Sequence, residues 1–147
     1  MDPQQEEFIA TAGLVLGELR VRTDAQLAEM ASAQEASMSA VDAWLTENKI
    51  DELLVPLLAH PDESVRLMAA SELLRVGYGW HAAPVFEELS EIDGYLGMLA
   101  NVNLMRWRAA VGDHAGADES GEAAIDGFRR LKKKKRARGA NKSDEIL

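Results

Sequence analysis

Two stretches of this chain repeat one another. Residues 53–77, LLVPLLAHPDESVRLMAASELLRVG, can be set over residues 81–112, HAAPVFEELSEIDGYLGMLANVNLMRWRAAVG. Pro56 then matches Pro84 at an offset of 28, whereas Ala69 matches Ala100 and Leu73 matches Leu104 at an offset of 31. The second stretch has therefore gained three residues at its corner, near Glu91-Ile92-Asp93. A repeat of about 30 residues is one supersecondary unit that cannot bury its own apolar face, so such units must pack against neighbours. Each unit reads as helix–turn–helix. The first helix carries an internal proline, and the second carries small residues where its partner has to approach.

The rest of the chain agrees with helices. Of its 147 residues 47% are hydrophobic but only 5% aromatic, which supports one ordinary domain with an aliphatic, alanine-rich core. Ala, Leu, Met and Glu are strong helix formers, and the period-two alternation of strands is scarce. The expected fold class is all-α. With no cysteine in the sequence, disulfides, thiolate nucleophiles and cysteine-ligated metal centres are excluded. The opening segment MDPQQEEFIATAGLVLGELR is acidic, its apolar run is broken by Glu18, and no stretch reaches the roughly 20 apolar residues of a membrane span. A cytoplasmic protein is expected.

Local signals place the helices. Asp2-Pro3 opens one that should run to about Arg20. Thr23-Asp24 caps a second, whose apolar positions Leu27, Met30, Ala31, Ala33, Met38, Val41 and Trp44/Leu45 recur at three and four, with an interruption at Asn48. A third spans about 50–59, with a kink or a fresh start at Pro56. His60-Pro61-Asp62 is a corner, and the next helix ends at Gly77 in a left-handed cap. GYGW breaks the chain. Helices at about 81–92 and 95–111 follow, parted by Asp93-Gly94, and a last one begins near Ala117 and frays into the lysine run.

The run P-L-L-x-H-P-D-x-x-V-R-x-x-A-A-x-x-L-L, formed by Pro56, Asp62, Val65, Arg66, Ala69, Ala70, Leu73 and Leu74, resembles a HEAT repeat. The wider stretch through GYLGMLANVNLMRWRAAVG is similar to a small bacterial domain family of unknown function. The resemblance implies a short α-α superhelix of HEAT-like hairpins. Arg66 lies four residues after Asp62, on the same helix face, and the resemblance implies that this pair braces one unit against the next. The second stretch has no Val-Arg pair at that place.

Charge divides the chain in two. Nine of the 16 Lys and Arg lie between Arg129 and Lys142, and only two of the 25 acids lie beyond residue 128. Residues 1–128 thus hold seven basic against 23 acidic side chains, a formal −16, and residues 129–147 carry +7. We expect a HEAT-like helical domain over 1–128 and a flexible basic tail over 129–147, with Arg129, Arg130, Lys132, Lys133, Lys134, Lys135, Arg136 and Arg138 as its cations.

Catalytic and ligand motifs are scarce. His60, His81 and His114 are isolated, so no metal is expected, and acid pairs such as Glu87-Glu88 read as solvated helix faces. Gly77-Tyr78-Gly79-Trp80-His81-Ala82 fits a G-x-G-x-x-A dinucleotide turn in letters only, because it follows a helix and not a strand. No cofactor and no enzymatic activity are expected. The expected role is a protein-binding module with an acidic helical surface for a basic protein partner, of an immunity or adaptor type. Tyr78, Trp80, Tyr95, Arg106 and Trp107 are the candidate contacts, since Trp, Tyr and Arg dominate hot spots. Trp44 and Trp107 also fit helical apolar patterns and so the core. The alternative role is association with nucleic acid or an anionic surface through the tail, independent of base sequence because aromatics are missing there except Phe128.

Overall fold

The computed structural model describes residues 1–17 and 22–146, without the side chains of Lys135 and of 137–146. The described residues are all-α: α1 (Pro3–Leu16), α2 (Asp24–Thr46), α3 (Ile50–Leu53), a 3₁₀ turn (Val55–Ala59), α4 (Glu63–Arg75), α5 (Gly79–Leu89), α6 (Tyr95–Ala110) and α7 (His114–Ile146). The chain divides into two compact units, Met1–Phe86 and Glu87–Leu147, with the division inside α5.

In the first unit the sequence punctuation does what its chemistry requires. Asp2 accepts the Gln4 N–H at 2.8 Å while Gln5 accepts the Asp2 N–H at 3.2 Å, a capping box with Pro3 in the first turn. Thr23 and Gln26 form the same box at α2. Asn48 ends that helix with φ 58°, the left-handed region that asparagine tolerates. The helix expected over 50–59 divides at Pro56. Proline lacks an N–H and crowds the carbonyl four residues back, so α3 stops at Leu53 and the chain continues as a 3₁₀ turn. The end of the first expected helix, 18–20, lies outside the described residues.

Packing in this unit centres on α4 and on one indole. Along α4, eight of 13 residues are buried, among them Val65, Leu67, Ala69, Ala70 and Leu73. A helix covered on most of its faces is an interior helix. Burial of a side chain such as Leu73 contributes about 1.5–3 kcal/mol. Trp44 of α2 is fully buried, its Nε1–H donating to Gln4 Oε1 at 2.7 Å and its ring 6.2 Å from that of Phe8. Gln5 Nε2 donates to the Leu53 carbonyl at 2.9 Å, which ties α1 to α3 as well.

At the C-terminal end of α4, Arg75 spans two helices. It meets Glu72 at 2.6 Å and Asp42 of α2 at 2.9 Å, and donates to the Met38 carbonyl at 3.3 Å. Burial alone would lower the pKa of this guanidinium. The hydrogen bonds and charges of Glu72 and Asp42 outweigh that and hold it above its ordinary value.

The second unit is an antiparallel pair, α6 and α7. Gly127 faces Met98, Gly121 faces Met105, and Arg108 donates to the Gly116 carbonyl at 3.2 Å and to Ser120 Oγ at 2.7 Å. Ala117, Ser120, Gly121, Ala124 and Gly127 recur at three and four along α7, and their small size allows close approach. The turn into α7 uses Gly112 at φ 84°. Helix α7 begins at His114, three residues before the expected start, because Asp113 Oδ1 accepts the Gly116 N–H at 2.9 Å and caps it. It passes through residues 128 and 129 without a break. Likewise α5 begins at Gly79, inside the segment expected to break the chain; Gly77, at φ 95°, is the break.

The three residues singled out for structure in 53–77 are now placed. Pro56 makes the 3₁₀ turn, and the Asp62 carboxylate accepts the Ser64 N–H at 2.8 Å. Half-buried Arg66 donates its backbone N–H to the Asp62 carbonyl at 3.1 Å. Asp62 is thus an N-cap. Asp62→Ala should cost ~1 kcal/mol in denaturant unfolding, while Asp62→Asn, which keeps the cap and loses the charge, should cost only a small fraction of that. Equal losses would mean that the charge of Asp62 matters more than its cap.

Candidate protein-docking groove

The aromatic candidates are divided between the two units. In the first unit, Trp80 stands in the first turn of α5 and is 76% exposed, whereas Tyr78 is half-buried and stacks on His81 with centroids 5.9 Å apart. In the second unit, Arg106 is exposed and Trp107 half-buried near the C-terminal end of α6. Half-buried Tyr95 opens the same helix, and 11 residues of helix at 1.5 Å each put it about 16 Å from Arg106.

The tail cations divide by face. Arg130 and Lys134 reach Asp93 at 3.6 Å and 3.9 Å, which fastens α7 to the turn before α6. Arg129, Lys132, Lys133 and Arg136 are exposed, and Lys132 stands 6.0 Å from the Phe128 ring centroid. The side chains of Lys135 and Arg138 lie outside the described residues.

A concave feature that sequence reasoning missed lies between α1 and α2. A groove of about 310 Å³ is lined by Gln4, Glu7, Phe8, Ala10 and Thr11 of α1 and by Ala33, Ala36, Ser37 and Ala40 of α2. Its origin is a mismatch in side-chain size. Phe8 and Trp44 fill one end of the contact, but the preceding two turns of α2 offer only alanine and serine. Small residues opposite one another normally signal close helix contact, and here they leave space instead. The signal in sequence is the run ASAQEASMSA, residues 31–40, whose alanines have no large partner side chain to cover them.

The electrostatics of this hairpin are one-sided. Helices α1 and α2 carry Glu6, Glu7, Asp24, Glu29, Glu35 and Asp42 and no Lys, Arg or His. The floor is apolar, and Glu7 supplies one exposed carboxylate at the edge. Thr11 Oγ1 already donates to the Glu7 carbonyl at 2.9 Å. The groove is lined by one carboxylate and by no histidine or lysine. Among the described residues, no three His, Cys, Asp or Glu side chains gather to hold a metal, and no helix is long and apolar enough to cross a membrane.

The tryptophans give a solution check on these burials. Acrylamide should quench a strongly accessible component of the fluorescence that Trp80→Phe removes, whereas Trp44→Phe should leave that component intact. Retention of the accessible component in Trp80→Phe would contradict the exposure assigned to that indole. Comparison with protein-family models, with curated proteins and with solved structures finds no match to this chain.

Proposed function

We propose that this chain is a non-enzymatic protein-binding module whose α1–α2 hairpin takes a basic, amphipathic segment of a protein partner. The observation that carries the reading is the apolar-floored groove between two helices that bear only acidic charge. Helix-in-groove recognition needs that combination: apolar anchors for the floor and cations for the edges. Opposite charge speeds the encounter and selects the partner, while the anchors supply most of the affinity.

The scaffold beneath is taken to be HEAT-like, a reading supported by the Pro56 break, the Asp62 cap and the buried Ala69 and Ala70. The module would act in the cytoplasm as an adaptor, or as an immunity-type protein that neutralises a basic effector; the lack of cysteine and the acidity of residues 1–128 support this. A second reading is contact with nucleic acid through α7. Exposed Arg129, Lys132, Lys133 and Arg136 favour it, and phosphate contacts of that kind would be steeply salt-dependent.

A fluorescent helical peptide with a Leu/Phe stripe flanked by Lys and Arg is a sufficient probe. Anisotropy titration of the full chain should show salt-sensitive binding. The double substitution Glu7→Lys with Ala36→Lys, at two exposed positions, should weaken it at least about tenfold, or ~1.4 kcal/mol. Equal binding by the variant would overturn the reading. So would stronger binding of duplex DNA than of the peptide.

A further inference from the structure

The chain itself carries a segment with the properties of the probe. On α7, Ile125 and Phe128 are 53% and 55% exposed, one turn apart. At about 100° per residue they share an arc of about 140° with Arg129, Lys132, Lys133 and Arg136. Those four cations are exposed, and none makes an ion pair with a described residue. Arg130 and Lys134, which do, lie on the other side of the helix and face Asp93. This arc therefore joins exposed apolar side chains to unpaired positive charge, with Lys132 standing over Phe128.

Dimensions and charge match the groove. Along α2, Ala33 to Ala40 extends about 10 Å, and along the exposed arc of α7, Ile125 to Lys132 extends about the same. A space of about 310 Å³ equals roughly ten waters at ~30 Å³ each, enough for two large apolar side chains. Between identical copies, the seven basic and 23 acidic residues of one 1–128 segment repel those of another. The +7 of residues 129–147 is the part of a neighbouring copy that attracts it.

We infer that the groove is occupied by the Ile125–Arg136 stretch of α7 from a second copy of this chain. This rests on the reading of the groove as a protein-docking surface and names its occupant. Ile125 and Phe128 enter between α1 and α2, and Arg129 and Lys132 lie against the edge that carries Glu7. The partner copy thus supplies the basic segment, and the chain associates with itself more strongly at low salt.

Sedimentation velocity of the full chain over a range of concentrations, at low and high salt, tests this. The expected result is a concentration-dependent increase in mass at low salt that is lost at high salt, because exposed charges are screened within about 8–10 Å at physiological ionic strength. The groove variant (Glu7→Lys with Ala36→Lys) and an α7 variant (Phe128→Ser) should each stay monomeric alone. Mixed in equal amounts, they should regain a two-chain species, since one brings an intact α7 and the other an intact groove. All three substituted positions are exposed, and circular dichroism of each variant checks its fold. Monomeric wild-type chain at every concentration overturns the inference, as does a mixture that fails to associate. If the probe peptide still binds the groove in that case, only the occupant named here is wrong.

Discussion

A buried indole organises the first unit. Trp44 is fully enclosed, and an N–H withdrawn from water costs about 1–3 kcal/mol unless it finds an acceptor. Gln4 provides that acceptor, and this fixes which turn of α1 lies beside which turn of α2. Phe8, one turn later on α1, completes the contact. The same registration leaves Ala33, Ala36 and Ala40 without a large side chain opposite them. The groove follows from where the two helices are pinned, because its only large apolar side chain, Phe8, is taken up in packing on Trp44.

The second constraint is electrostatic. Arg75 is one of only three basic residues in Met1–Phe86 outside 18–22, the others being Lys49 and Arg66, and it lies where α4 and α2 meet. It offsets Glu72 and Asp42 and leaves the other acids of α2 unneutralised along that helix. In the second unit Asp93 plays the opposite part, an acid that holds two of the cations of α7 while Arg129, Lys132, Lys133 and Arg136 stand exposed. The charge left over is negative on α1–α2 and positive on α7.

Much of the helical framework was legible in the residues. Asp2-Pro3, Thr23, Asn48, Pro56, Asp62, Gly77 and Gly94 all act where their chemistry predicts, because a cap, a missing N–H or a left-handed φ is a local property. Helix α7 starts at His114 and not near Ala117, because the Asp113 carboxylate caps it. Burial of Trp44 and exposure of Arg106 were also within reach. The groove was not. An alanine stripe is equally consistent with tight packing and with empty space, and only the side chains on the facing helix decide between them. Ile125 and Phe128 stand exposed in the structure, which the sequence pattern of the last helix does not indicate.

The most direct measurement uses the absence of cysteine. A single Asp126→Cys substitution takes one spin label at an exposed position of α7 beside the docking residues, and that chain is mixed with isotope-labelled, unmodified chain. Docking of α7 in the groove of a second copy predicts paramagnetic broadening of amide signals from Gln4 to Thr11 and from Ala33 to Ala40 of the unmodified copies, removed by high salt. Broadening confined to other surfaces, or none, would contradict it.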